Sequence, residues 1–160
     1  MPFENSAGLG VFNFFGPRKV GEENIGIVKT EGAYNELIID VDGAFINKVI
    51  TDGTSKNLAI GKLPAGIKIK EVILEVDTVF VVGGTSPTFL VGTEGSEATN
   101  GVSFTEAQAE AVGTVVNTTF AGTWAAKLAA ETQVGFALGG TTPTLSGGKA
   151  RIIIRYIKAN

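Results

Sequence analysis

One segment restricts the fold more than any other: Leu63-Pro-Ala-Gly-Ile-Lys-Ile-Lys-Glu-Val-Ile-Leu-Glu-Val-Asp77. Pro64 to Gly66 is a turn. Ile67 and Ile69 open an alternation on odd positions, and by Val72, Leu74 and Val76 the apolar positions are even. A two-residue period marks a half-buried strand, and a slip of one residue inside it is what a β-bulge produces. The bulge is expected near Lys70–Glu71. A strand bent in this way serves a curved sandwich or barrel.

From Ile25 onward the strand signal repeats. Glu36 to Asp42 places Leu37, Ile39 and Val41 on one face and Glu36, Asp40 and Asp42 on the other. Asp42-Gly43 is a turn signal, and Ala44 to Thr51 reads as the second strand of a hairpin. Asn57 to Gly61 adds a short strand. Val79 to Val82 continues the long strand to Gly83-Gly84, and Thr88 to Gly92 follows as another. Thr114 to Ala121 is β-branched and reads as a strand. Trp124 to Ala130 is placed with the strands by its position, against four alanines that favour helix. Thr132 to Leu138 alternates with Val134, Phe136 and Leu138 inward. In the last strand, Ala150 to Lys158, Ile152, Ile154 and Tyr156 face the core. Arg151 and Arg155 share the other face with Ile153 and Ile157, so that face is amphipathic and suits cover by another strand or subunit. A capping-box spacing, Ser103-Phe-Thr-Glu106, predicts one short helix near 104–112. Gly83-Gly-Thr-Ser-Pro-Thr88 recurs as Gly139-Gly-Thr-Thr-Pro-Thr144. The echo reads as two similar turns joining equivalent strand pairs, or alternatively as two tips forming a contact surface.

The predicted fold class is therefore all-β: an antiparallel β-sandwich with at most that one helix. Composition agrees, with 22 glycines and 17 threonines among 160 residues, and 44% apolar against 18% charged side chains. This length suits one domain with a core of its own. The chain has no cysteine and no histidine. That removes thiolate nucleophiles, disulfides, zinc–thiolate sites, the commonest general base and the commonest transition-metal ligand. A net charge of −3 gives nucleic acid no basic stripe to bind. No stretch resembles a bilayer-spanning helix, and the N-terminus lacks the basic start and apolar centre of a signal peptide, so we expect synthesis in the cytoplasm of the producing cell.

Residues 1–24 differ from the rest. They hold Phe3, Phe12, Phe14 and Phe15, with four glycines, two prolines and no sustained period. They read as an N-terminal arm preceding a single sandwich domain over residues 25–160. The arm folds across its own domain, docks on a partner through aromatic anchors, or is a disordered tail. Phe12, Phe14, Phe15, Pro17 and Arg18 are its candidate contact residues. Asp40 and Asp42 share a strand face at a glycosidase-like spacing. That face is also where acids sit for solubility, so they read as surface residues. Asp40-Val-Asp-Gly43 starts like a calcium loop but lacks the later ligands, with Thr51 where the closing glutamate belongs. Trp124 among threonines could form a sugar platform, although a lone tryptophan is more often core or interface. No phosphate loop is present. The sequence thus assigns no catalytic, cofactor or metal residue and no small-molecule substrate.

Several stretches resemble small virion structural proteins of tailed bacteriophages. They are Val28-Lys-Thr-Glu-Gly-Ala33, Leu63-Pro-Ala-Gly-Ile67, Glu75-Val-Asp-Thr-Val-Phe80, Gly83-Gly-Thr-Ser-Pro-Thr88, Leu90-Val-Gly-Thr93 and the closing Gly147-Gly-Lys-Ala-Arg-Ile-Ile-Ile-Arg-Tyr-Ile157. The resemblance covers roughly residues 25–158 and does not extend to the phenylalanine-rich arm. It implies a jelly-roll-like sandwich on the capsid exterior, a decoration or cement protein working as a dimer or trimer that bridges major capsid proteins. A head fibre, a tail component and a carbohydrate-binding sandwich module are the alternatives.

Overall fold

The computed structural model describes residues 11–14 and 27–31 as strand backbone, and residues 34–44, 46 and 57–159. Among the described residues ten strands form two antiparallel sheets. In chain order they are β1 (Val11–Phe14), β2 (Ile27–Glu31), β3 (Tyr34–Asp42), β4 (Asn57–Leu63), β5 (Ile67–Thr78), β6 (Val81–Thr93), β7 (Gly101–Thr105), β8 (Gly113–Asn117), β9 (Thr132–Ser146) and β10 (Lys149–Lys158). The large sheet runs β1-β2-β3-β10-β5-β8 and the small one β4-β9-β6-β7. Without β1 and β2, the last eight strands form two four-stranded sheets in jelly-roll order, β3-β10-β5-β8 and β4-β9-β6-β7. The expected all-β sandwich is the fold found.

Strand alternation builds the core. Leu37, Ile39 and Val41 of β3, Val72, Leu74 and Val76 of β5, and Ile152, Ile154 and Tyr156 of β10 face Phe89, Val91, Val134, Phe136 and Leu138 of the small sheet, all buried. Phe89 stacks edge-on between Phe80 and Phe136, at centroid distances of 5.0 and 5.3 Å. The bulge expected near Lys70–Glu71 is present: Arg155 pairs with Glu71 and Tyr156 with Ile69, so Lys70 is the extra residue. It lets Ile67 and Ile69 share the core face with Val72 despite the change of parity.

Several expectations need correction. Gly43, Ala44 and Ile46 are helical rather than the start of a hairpin strand; the rest of that predicted strand lies outside the described residues. The Asp42 carboxylate accepts the Ala44 amide at 2.9 Å, which starts the turn. Val79 and Phe80 do not continue β5 but carry the chain from the large sheet to the small one. The helix, α1, is Glu106–Ala109, and its capping box is closed by Thr105 and Gln108, two residues beyond the predicted pair, because Gly101–Thr105 pairs with β6. Gly122–Ala125 is a 3-10 turn instead of a strand, held by Trp124, whose indole N–H donates to Thr93 Oγ1 at 3.1 Å.

The glycine-rich echo is not a pair of turns. Both copies lie inside long strands and pair with each other, Gly83 opposite Thr144, Thr85 opposite Thr141 and Thr88 opposite Gly139. The ladder shifts register on either side of Thr85, so the motif is a double bulge in the middle of the β6–β9 ribbon.

Candidate interface on the outer face of the large sheet

Side chains that do not enter the core from β3, β10 and β5 stand on the outer face of the large sheet, and the register sorts them into rows. Ile153 pairs with Ile38 on one side and Ile73 on the other, and Ile73 pairs with Val116 of β8. Cross-strand partners share a face, so Ile38, Ile153, Ile73 and Val116 form one apolar row perpendicular to the strands. Ile153 and Ile73 are 8% and 5% exposed, whereas Val116 is 52% exposed at the edge of the sheet. In the backbone register Ile38 pairs with Ile27 of β2, and Ile27 with Phe14 of β1.

Charged rows flank it. On one side Glu36, Arg155 and Glu71 follow one another across three strands, and the backbone register of Glu36 continues to Lys29 of β2 and Phe12 of β1. Arg155 donates from Nε to Glu36 Oε1 at 2.6 Å and from Nη1 to Glu71 Oε1 at 2.7 Å. The guanidinium fork suits two carboxylates on neighbouring strands better than a lysine would. Its hydrogen bonds to Glu71 and then Glu36 hold its pKa above the usual arginine value, against a smaller desolvation effect. Glu36, expected on the solvent face, is buried beneath this clamp. On the other side Asp40, Arg151 and Glu75 form a second charged row ending at Thr114. The Arg151–Asp40 pair, 3.1 Å long, is exposed and contributes little to stability.

The row ends on β8, in a stretch without charge. Residues 111–126 contain no charged side chain. Val112 and Val116 are 68% and 52% exposed, and Val79 on the link from β5 to β6 and Val81 at the start of β6 are exposed as well. That link lies against α1, since the Phe80 amide donates to the Ala109 carbonyl and the Val82 amide to Glu110 Oε1.

The candidate residues of the sequence divide accordingly. Phe12 and Phe14 fall on β1, at the register ends of the charged and the apolar row; Phe15, Pro17 and Arg18 lie outside the described residues. Asp40 is paired with Arg151 and Asp42 caps the turn after β3, which accounts for both carboxylates structurally. No group of three acidic residues is placed to hold a metal among the described residues. Trp124 is fully buried, which removes it as a sugar platform. The exposed valines escaped the sequence reading, because periodicity identifies a strand without saying whether it lies at a sheet edge. Chemically, the face is apolar along its middle, where Ile153 and Ile73 are already buried, and offers exposed apolar surface at its β8 end beside charged margins.

No protein-family model and no curated protein matches this sequence. Among solved structures, it is similar at 21% identity to a chain from the capsid of Ralstonia phage GP4, with a TM-score of 0.49, over 81% of this chain and 86% of that one. It is also similar, again at 21% identity, to a chain from the capsid asymmetric unit of cyanophage Pam1, with a TM-score of 0.47, over 98% of each.

Proposed function

We propose that this chain is a structural component of a bacteriophage virion, a decoration or cement protein that docks on the capsid exterior and binds the major capsid protein. The observation that carries the reading is the outer face of the large sheet, where an apolar row with charged margins crosses the strands and ends on an uncharged, exposed edge. The sequence resemblance points the same way. A cement protein gains from area rather than from a reacting group: it joins shell subunits over contacts of roughly 1,000 Å² or more. A two-layer sandwich supplies the rigid platform for such contacts. Residues 1–24 act as a docking arm, with Phe12, Phe14, Phe15, Pro17 and Arg18 as contact residues.

Purified protein should bind assembled heads, and deletion of residues 1–20 should leave a folded sandwich that no longer does so. Normal binding by the shortened chain removes the arm's role; no binding by the full chain to heads of its own phage removes the reading itself.

A further inference from the structure

Two acidic residues are buried among the described residues, Glu36 and Glu97. Arg155 holds the first. Glu97, only 3% exposed on the loop between β6 and β7, has no such partner. Its Oε1 accepts the Gly95 amide at 3.0 Å, from within its own loop, and no second donor reaches the carboxylate among the described residues. None of their ion pairs includes it. No base is near in sequence either: between Lys70 and Lys127 the chain has seven acidic residues and no lysine or arginine. A carboxylate taken out of water on one hydrogen bond is costly, and buried charges are otherwise paired or coordinate metals.

The surroundings of Glu97 suit a cation. A β-carbon on Gly135 of β9 would collide with Glu97 Oε1 and lie 2.8 Å from Glu94 Cα, so this glycine makes room for the carboxylate. Backbone bonds fix the loop: the Thr93 amide donates to the Asn100 carbonyl at 2.8 Å and the Glu94 amide to the Gln133 carbonyl at 2.9 Å. Six of the eight residues from Thr93 to Asn100 carry a side-chain oxygen. Ser96, Glu97 and Thr99 line an open cavity of about 320 Å³. The two hydroxyls donate to the Thr93 and Ser96 carbonyls at 3.4 and 3.2 Å, and their oxygens keep acceptor capacity.

We infer that this loop binds a calcium ion, with Glu97 as the anchoring ligand, Glu94 as a second carboxylate, and loop oxygens and water completing the shell. The donors are oxygens alone, which selects a hard cation. Two carboxylates match a divalent charge but fall short of a three-acid cage, so neutral oxygens must complete the site. Magnesium demands near-octahedral geometry and dehydrates reluctantly, whereas calcium accepts an irregular shell of carboxylate, carbonyl and water. With so few charged ligands the affinity falls in the weak range, a dissociation constant of about 0.1–1 mM. The inference concerns the isolated chain and stands whether or not the chain binds capsids.

Thermal unfolding of the full-length protein, first stripped with a chelator, tests it with calcium chloride alone as the probe. Calcium at about 10 mM should raise the unfolding midpoint by about 3 °C or more. Magnesium chloride at the same concentration should raise it clearly less. Glu97→Gln keeps the shape of the side chain and should abolish the calcium shift. Glu94→Gln should reduce the shift, and it serves as the second variant if Glu97→Gln does not fold. Glu131→Gln, exposed and paired with Lys62, should leave the shift intact. A wild type indifferent to calcium, an equal shift with magnesium, or a calcium shift preserved in both loop variants would each overturn the inference. None of these results involves heads, so their failure is distinct from failure to bind a capsid.

Discussion

Gly84 and Gly140 occupy equivalent points of a local two-fold arrangement in the β6–β9 ribbon. A β-carbon on Gly84 would lie 2.8 Å from the Thr141 carbonyl oxygen, and one on Gly140 would lie 2.8 Å from the carbonyl oxygens of Thr85 and Ser86. Their φ angles are +115° and +107°, and two residues on, Ser86 and Thr142 also have positive φ, 50° and 47°. Alanine at either glycine combines a backbone clash with an unfavourable φ and should cost about 2–3 kcal/mol. Gly66 also has a positive φ but open space around it, so Gly66→Ala should cost only about 1 kcal/mol. Urea unfolding midpoints of the three variants check this; clearly unequal losses at Gly84 and Gly140 would contradict their equivalence.

Arg155 clamps a buried glutamate, so its removal should cost more than an exposed ion pair would. Arg155→Met leaves Glu36 without its closest partner and should destabilise by about 2 kcal/mol or more, with Arg155→Lys in between because it lacks the fork. In a double-mutant cycle, Glu36→Gln with Arg155→Met should lose less than the sum of the two single variants.

The capping box gives a sharper discrimination. Thr105→Ala should cost about 1 kcal/mol, because it removes the hydroxyl that accepts the Gln108 amide. Ser103→Ala, at the position the sequence spacing suggested, should cost less than about 0.5 kcal/mol. Thermal unfolding of the pair checks which residue caps the helix.

Burial raises the pKa of Tyr156 above the usual phenol value. A group with a raised folded pKa contributes stability that is fully present below its unfolded pKa, about 10 for tyrosine, and is lost as pH rises through the folded value. Stability should therefore fall as pH rises above about 10. Tyr156→Phe should make that alkaline fall shallower in denaturant titrations at stepped pH.

How much of this was legible in the sequence follows from which forces act locally. In β3, β9 and β10 the two-residue period named the inward-facing core residues correctly, although Glu36, Ala137 and Ile153 on the opposite faces are buried as well. The bulge at Lys70 was legible for the same reason: Ile69 and Val72 must both reach the core, and only an inserted residue reconciles their parity. Pairing across the sandwich was not legible. Gly83-Gly-Thr-Ser-Pro-Thr88 and Gly139-Gly-Thr-Thr-Pro-Thr144 carry ordinary turn chemistry, and only their contact with each other holds them within strands. The helix cap moved because Ser103 was recruited into β7. In the candidate interface, the amphipathic outer face of β10 was visible as Arg151, Ile153 and Arg155. Its extension into a row ending at Val116 depends on the order of the strands, which no single segment encodes. Phe12 and Phe14 were singled out for their composition alone, and the register places them at the far end of the same rows.

The central claim is that the outer face and its arm bind a capsid, and co-sedimentation with assembled heads measures it most directly. Full-length protein should pellet with heads at a fixed ratio to the major capsid protein and appear as extra density outside the shell. The variant lacking residues 1–20 should remain in the supernatant while still unfolding cooperatively. A full-length protein that stays in the supernatant at every ratio of protein to heads would contradict the account.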